Sequence, residues 1–280
     1  MNASPQYIKT RIAPTPSGYL HLGNAYSFVL TQELAAQHDA KLLLRIDDLD
    51  RERIQDAYVQ DIFDTLHFLG IDWDEGPHDL DDYKNRYSQV HRLPLYTNLL
   101  DQLKEGGHVF ACTCSRAQLV QQNAGGAYPG TCRNKKIPLD TPGVNWRLDT
   151  AKEKILHLHT LNGEVEQYTL PASVKDFVIK KKDGYPAYQL ASLADDLHFG
   201  IDLIIRGEDL LDSTLAQLYL AEVLGASAFL TTHFHHHPLV KDTAGMKLSK
   251  SEGALSLKHW REQGRSRAEV LRMIMGNREK

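Results

Sequence analysis

The chain opens with a run, Tyr7 to Ala13, that reads as a short strand and stops where Pro14, Pro16 and Gly18 forbid both helix and ladder. From Asn24 to about His38 the apolar residues Ala25, Phe28, Val29 and Ala36 fall on one helical face, with Asn24 placed to cap it. Lys41 to Ile46 is a compact apolar run suited to a buried parallel strand; Tyr58, Ile62, Leu66 and Leu69 then mark a second helix that ends at Gly70. This alternation predicts an α/β fold whose parallel sheet is covered by helices on both faces and takes ligands at the carboxyl ends of its strands.

The pattern breaks near residue 108. Up to about residue 171 it holds a cysteine cluster, a Gly-rich stretch and short β-like pieces, Asn145 to Leu148 and Ile155 to His159, which predict an insertion with its own small fold. Parallel-sheet signals return at Asp202 to Ile205, followed by a helix from Ser213 to Leu224 closed by Gly225. Ser266 and Glu269 form a capping box that opens a last helix, through about Met275. No internal repeat or low-complexity segment is visible.

Composition narrows the class. With 42% hydrophobic and 24% charged residues in 280, the chain is an ordinary soluble globular one, and it holds no apolar run of the roughly eighteen residues a membrane helix needs. The first residues contain no apolar signal core, and three cysteines, all between Cys112 and Cys132, suit a reducing compartment, so the cytosol is expected. A net charge of −4 conceals a split: residues 46–85 carry thirteen acids against three bases, whereas residues 241–280 carry ten Lys or Arg against five acids. An anionic partner could use the basic end alone.

Two short motifs carry chemistry. His21-Leu22-Gly23-Asn24 lies where the first strand gives way to the first helix, where free N–H groups and the helix dipole attract a phosphate. Gly23 lets a base or phosphate approach the backbone, and His21 can donate to a phosphoryl oxygen. Lys247-Leu-Ser-Lys250-Ser251, between Gly245 and Gly253, is a basic loop able to close on a polyphosphate and neutralise charge developing as pyrophosphate leaves. Cys112, Cys114 and Cys132 are three soft ligands that suit a tetrahedral Zn²⁺ with one position to fill, for which the sequence alone allows water or His108. In the tract His233, His235, His236 and His237 the period-two spacing is compatible with one face of a strand, and its run into Pro238-Leu239 resembles a known family's approach to a lysine loop, which implies a strand bordering the nucleotide site rather than a second metal site; Trp73 reads as packing. Lys175, Lys180, Lys181 and Lys182 fit RNA contact and plain surface equally.

Together HLGN and KLSKS resemble the paired signatures of class I aminoacyl-tRNA synthetases, which have a Rossmann-type sheet. Arg11 to His21, Leu44 to Arg53, Gly70 to Pro77 and Ile205 to Asp209 resemble the glutamyl branch of that class. Full-length glutamyl-tRNA synthetases continue into a helical anticodon-binding region. The shorter chain here, with Cys-x-Cys and a later Tyr-x-x-x-Cys, is similar to the glutamyl-queuosine tRNA(Asp) synthetase family. That resemblance implies that residues 1–108 and 172–225 are the two halves of a Rossmann catalytic domain. It makes 109–171 a zinc-containing, acceptor-binding-like insertion and 226–280 the KLSKS loop with a helical stem-contact segment.

The same resemblance implies activation of glutamate with ATP and Mg²⁺, then transfer to queuosine in the anticodon loop of tRNA(Asp), by a monomer with no membrane association. An enzyme with the same activation step but another acceptor, a tRNA 3′ end or a carrier protein, and a non-catalytic RNA-binding paralogue are the alternatives. Carried over by position, Arg11, Ala13, Thr15, Asp47, Tyr188 and Arg206 would bind glutamate. His21, Gly23, Asn24 and Lys250 would bind ATP, while His21, Lys247 and Lys250 would stabilise the transition state. Tyr128 would be the fourth ligand of Zn²⁺ beside Cys112, Cys114 and Cys132. Two positions depart from the pattern: Asp47 stands where Glu is usual, and Asn24 where the general signature has His.

Overall fold

The computed structural model describes residues 6–122, 127–239 and 256–275. In chain order its main elements are β1 (Lys9–Ile12), α1 (Leu22–Gln37), β2 (Lys41–Leu44), α2 (Asp56–Leu69), α3 (Leu93–Glu105), β3 (Val109–Cys112), β4 (Asn145–Leu148), β5 (Ile155–Thr160), β6 (Val165–Thr169), β7 (Val178–Lys180), α4 (Tyr188–His198), β8 (Leu203–Gly207), α5 (Leu211–Leu224), β9 (His233–His237), α6 (Leu257–Glu262) and α7 (Arg267–Met275). They fall into two compact units, one of residues 1–91, 203–209 and 235–280, the other of 92–202 and 210–234.

In the first unit β1 and β2 pair in parallel, Lys9 with Lys41 through Ile12 with Leu44. The ladder outruns the strands: Arg45 N–H donates to the Ile12 carbonyl and Asp47 N–H to that of Pro14, each at 2.9 Å. A further edge is formed by residues 71–76, since Leu44 N–H donates to Glu75 and Asp74 N–H to Leu42. The core joins Leu42, Leu44 and Ile46 to Ala25, Phe28 and Val29 of α1, to Ile62, Leu66 and Leu69 of α2, and to Leu257, Trp260 and Val270 of α6 and α7. Helix α2 ends as expected, at Gly70 with φ +62°, where a residue without Cβ enters the left-handed region at no steric cost. Ser266 and Glu269 close the reciprocal box that opens α7.

One expectation needs correcting. The cap of α1 is His21 rather than Asn24: His21 Nδ1 accepts from Gly23 N–H and Asn24 Oδ1 accepts from His21 N–H, both at 3.1 Å. An imidazole nitrogen does here what a Ser or Asp oxygen usually does, so the helix starts a turn earlier than the residue preferences suggest.

The second unit contains the antiparallel sheet β3-β4-β7, which extends past residue 171, and the hairpin β5-β6, with β5 also parallel to the start of β9. Leu190, Leu193, Leu215, Leu218 and Phe229 are buried in it. Arg92 Nε and Nη2 reach both oxygens of Asp195 at 2.7 and 3.0 Å, and Tyr96 Oη donates to Asp195 at 2.7 Å, so α3 is tied to α4 through a fully buried carboxylate. Among the described residues no helix is long and apolar enough to cross a membrane.

Candidate active site and metal centre

Five of the six residues expected to bind glutamate lie in the first unit, on the carboxyl ends of its strands. Arg11, 5% exposed, ends β1 by donating from Nη1 to the Ile205 carbonyl on β8 at 3.4 Å, and the next residue, Arg206, is itself buried. The bond from Asp47 N–H to Pro14 draws Asp47 alongside Ala13 and Thr15. Tyr188 belongs to the other unit, where it opens α4 and is exposed.

Asp47 is not an idle carboxylate. Arg45 Nε and Nη2 grip its two oxygens at 2.7 and 3.0 Å, both side chains being buried. Such a bidentate pair fixes the direction of the carboxylate. The loop is fixed in turn by Asp48, which motif reading passed over. Its buried carboxylate accepts from Tyr83 Oη at 2.6 Å, Ser88 Oγ at 2.5 Å, Gln89 N–H at 2.8 Å and Arg51 Nη1 at 3.0 Å. Gln89 Oε1 returns the contact by accepting from the Asp48 amide at 2.7 Å. Burial and the adjoining Asp48 charge push the Tyr83 hydroxyl pKa well above its ordinary range, keeping it a donor.

The nucleotide-motif residues meet as far as they are described. Gly23 leaves space for the His21 ring, since an added Cβ would stand 3.1 Å from two of its atoms. Behind the turn, Asp61 of α2 accepts from Leu20 N–H at 3.1 Å and pairs with Arg261 of α6. Ser256 bridges to His21, and Leu257 N–H donates to the Leu20 carbonyl at 2.8 Å. The chain therefore returns beside His21 directly after the segment that holds Lys247 and Lys250; those two lysines lie outside the described residues. On the other side of α1, Ser27 Oγ meets His237 Nε2 at 2.9 Å, while His237 Nδ1 lies 2.9 Å from the Pro238 carbonyl. A carbonyl can only accept, so Nδ1 carries the proton and Nε2 accepts from Ser27. Burial lowers the His237 pKa and keeps the ring neutral. The histidine tract is thus a strand, as its spacing suggests, and Trp73 is a packing residue that stacks between His67 and His78.

In the second unit the Cys112, Cys114 and Cys132 thiols are buried, unbridged, and within 4.8 Å of one another. Cys114 and Cys132 Sγ stand 3.6 Å apart, too far for a disulfide. Tyr128 Oη joins them by accepting from Cys132 N–H at 2.8 Å. His108 is not in this group; its ring lies over Gly106. Burial drives the Cys114 pKa up to about 11. At Cys132 burial acts the same way, but donors outweigh it, namely the Thr113 amide, Tyr128 and the other thiols, and bring the pKa to about 7. Three converging sulfurs and a phenol oxygen fit the soft, four-coordinate preference of Zn²⁺.

Comparisons with known proteins show the family. The profile of the family described as tRNA synthetases class I (E and Q), catalytic domain, matches residues 7–277. A glutamyl-Q tRNA(Asp) synthetase of Rhodobacter capsulatus is 34% identical over 95% of this chain and 99% of its own length. One from Pseudomonas aeruginosa is 39% identical over 86% of this chain and 76% of its own. A glutamate–tRNA ligase 2 of Syntrophus aciditrophicus is 35% identical over 91% of this chain and 54% of its own. Among solved structures, a glutamate-tRNA synthetase from Elizabethkingia anophelis shares the fold with a TM-score of 0.72 at 24% identity, over 93% of this chain and 54% of that one. The chain spans about half the length of these last two relatives. With a match that runs from the first strand through the last helix, the chain belongs to the catalytic-domain family of class I tRNA synthetases for E and Q.

Proposed function

We propose that this protein activates glutamate with ATP and transfers it to queuosine in tRNA(Asp), acting as a monomer in the cytosol. The observation that carries the amino-acid half is the charge pattern at adjoining strand ends: two buried guanidiniums, Arg11 and Arg206, suit carboxylates, and the oriented Asp47 suits an ammonium. The acceptor is supported by the likeness to the glutamyl-Q tRNA(Asp) synthetases of Rhodobacter and Pseudomonas.

In this reading a glutamate carboxylate oxygen attacks the α-phosphorus of ATP and pyrophosphate leaves; a bound Mg²⁺ would supply charge neutralisation at these phosphates. A nucleoside hydroxyl then attacks the carbonyl of the adenylate and releases AMP. His21, Lys247 and Lys250 offset the charge on the departing phosphates, Gly23 and Asn24 shape the approach to the backbone, and positioning supplies most of the rate. Arg11, Ala13, Thr15, Asp47 and Arg206 of the first unit hold the amino acid. Cys112, Cys114, Cys132 and Tyr128 would hold a Zn²⁺, whose part would be structural because four protein ligands would leave no open position.

Glutamate-dependent exchange of pyrophosphate into ATP tests the first half. The wild type should catalyse it without RNA, and His21→Ala and Lys250→Ala should each lower it by at least about 100-fold, the scale of losing one transition-state donor. Near-normal exchange in either variant removes that residue from the mechanism. Labelled glutamate should then appear on queuosine-containing tRNA(Asp) and not on tRNA(Asp) lacking queuosine. Equal labelling of both, or labelling at the 3′ end, transfers the assignment to another acceptor.

A further inference from the structure

Among the described residues, Arg147 is a buried cation with no carboxylate ion pair. The residue is 6% exposed; its Nη1 donates to the Asp176 backbone carbonyl at 2.7 Å, and its Nε has no hydrogen-bond partner among the described residues. The nearby Asp176 carboxylate is already engaged by Arg133 and by Thr150, whose N–H and Oγ1 donate to it at 3.1 and 2.9 Å. What Arg147 does face is Tyr128: its guanidinium carbon lies 3.7 Å from the centre of the tyrosine ring. An unpaired charge in such a place is strongly disfavoured, so a compensating anion is called for.

Strand register says where that anion is. Arg147 on β4 stands directly opposite Phe110 on β3, and Asn145 opposite Cys112, so Phe110, Cys112 and Arg147 share one face of the small sheet. Phe110 stacks on the Tyr128 ring at 6.2 Å, and Tyr128 Oη reaches the backbone of Cys132. Phe110 and Arg147 therefore both bear on the ring whose oxygen completes the sulfur cluster. Three thiolates around a divalent zinc ion carry a net charge of −1 before any fourth ligand is counted.

We infer that Arg147 is the positioning and charge-balancing residue of the metal centre: it presses Tyr128 into place as the fourth ligand and offsets the negative charge of the sulfur set. This rests on the zinc reading above. A partner of this kind outside the ligand set typically changes metal affinity by about 10- to 100-fold.

The test follows zinc transfer from the full chain to a colorimetric chelator, for wild type, Arg147→Met, Arg147→Lys, Tyr128→Phe and the double variant Tyr128→Phe/Arg147→Met, with far-ultraviolet circular dichroism as the check on folding. Arg147→Met is expected to weaken zinc retention by about 10-fold or more. Arg147→Lys should recover part of the loss, and the double variant should lose little beyond its worse single parent. Wild-type retention in Arg147→Met, or losses that add in full, overturns the inference. Where Arg147→Met does not fold, the thiolate-to-cobalt band of cobalt-loaded Arg147→Lys decides: a displaced band supports the role and an unchanged band overturns it. A wild-type chain that takes up no zinc overturns the metal reading itself, whereas one that holds zinc indifferently to residue 147 overturns this inference alone.

Discussion

At Gly76 the backbone has φ +109°, and an added Cβ would stand 2.1 Å from the Leu44 carbonyl oxygen. The bulk would strike the ladder that residues 71–76 form against β2, and no side chain there can move aside. Gly76→Ala is expected to cost about 4 kcal/mol or more, read as a loss in urea midpoint. Asp48 poses the converse case, since removing it strands four donors. Asp48→Ala should destabilise by about 3 kcal/mol and, because the loop then releases Asp47, raise KM for glutamate more than it lowers kcat in pyrophosphate exchange; an unchanged KM would limit Asp48 to folding. Residues of this kind were the least legible from sequence. In the acidic stretch 46–85 Asp48 and Asp61 look like any surface acids, because the partners that bury them, Tyr83, Ser88 and Gln89 for one and Arg261 for the other, are remote along the chain. Arg11, Asp47 and Arg206 were readable only through a resemblance, and the grip of Arg45 on Asp47 not at all.

Elements with local punctuation were legible from the sequence. Helix α2 stops at Gly70 and α5 at Gly225, both left-handed, and α7 starts at its Ser266–Glu269 box, because each signal acts within a turn of the residue that carries it. The antiparallel sheet β3-β4-β7 was not, since its strands are short and its pairings span the cysteine insertion. Strand β9 is where pH should act. Burial first, and the Arg206 charge second, lower the pKa of His236 from its ordinary 6.5 to about 4, and burial shifts His233, His235 and His237 in the same direction. Between about pH 6.5 and 4 the unfolded chain therefore binds a proton that the folded chain refuses, so stability is full above this window and falls as pH falls through it. His236 alone accounts for up to about 3 kcal/mol. Urea midpoints at pH 7 and 5 should show the drop, and His236→Gln should flatten it; a midpoint insensitive to pH would contradict the neutral strand.

Charge is divided on the scale of the whole molecule. The carboxyl-terminal forty residues hold most of their charge as Lys and Arg, while residues 46–85 are acidic, so an RNA partner and a small amino acid respond to different regions. Counterion release then predicts a selective effect of salt. Raising it from about 50 to 200 mM should weaken transfer to tRNA(Asp) steeply while leaving glutamate-dependent pyrophosphate exchange nearly constant, since few phosphates are contacted in the exchange and many in the transfer. Equal sensitivity of the two reactions would place the RNA contact elsewhere. The bonds from Leu20 and His21 to residues 256, 257 and, through Asp61, 261 have a kinetic corollary. A nascent polypeptide emerging from the ribosome has its first turn well over two hundred positions ahead of the helix that braces it, and closure over such a separation is slow. Until that helix is out of the exit tunnel, the histidine has no brace, so the first turn is held in place only once residue 261 has emerged.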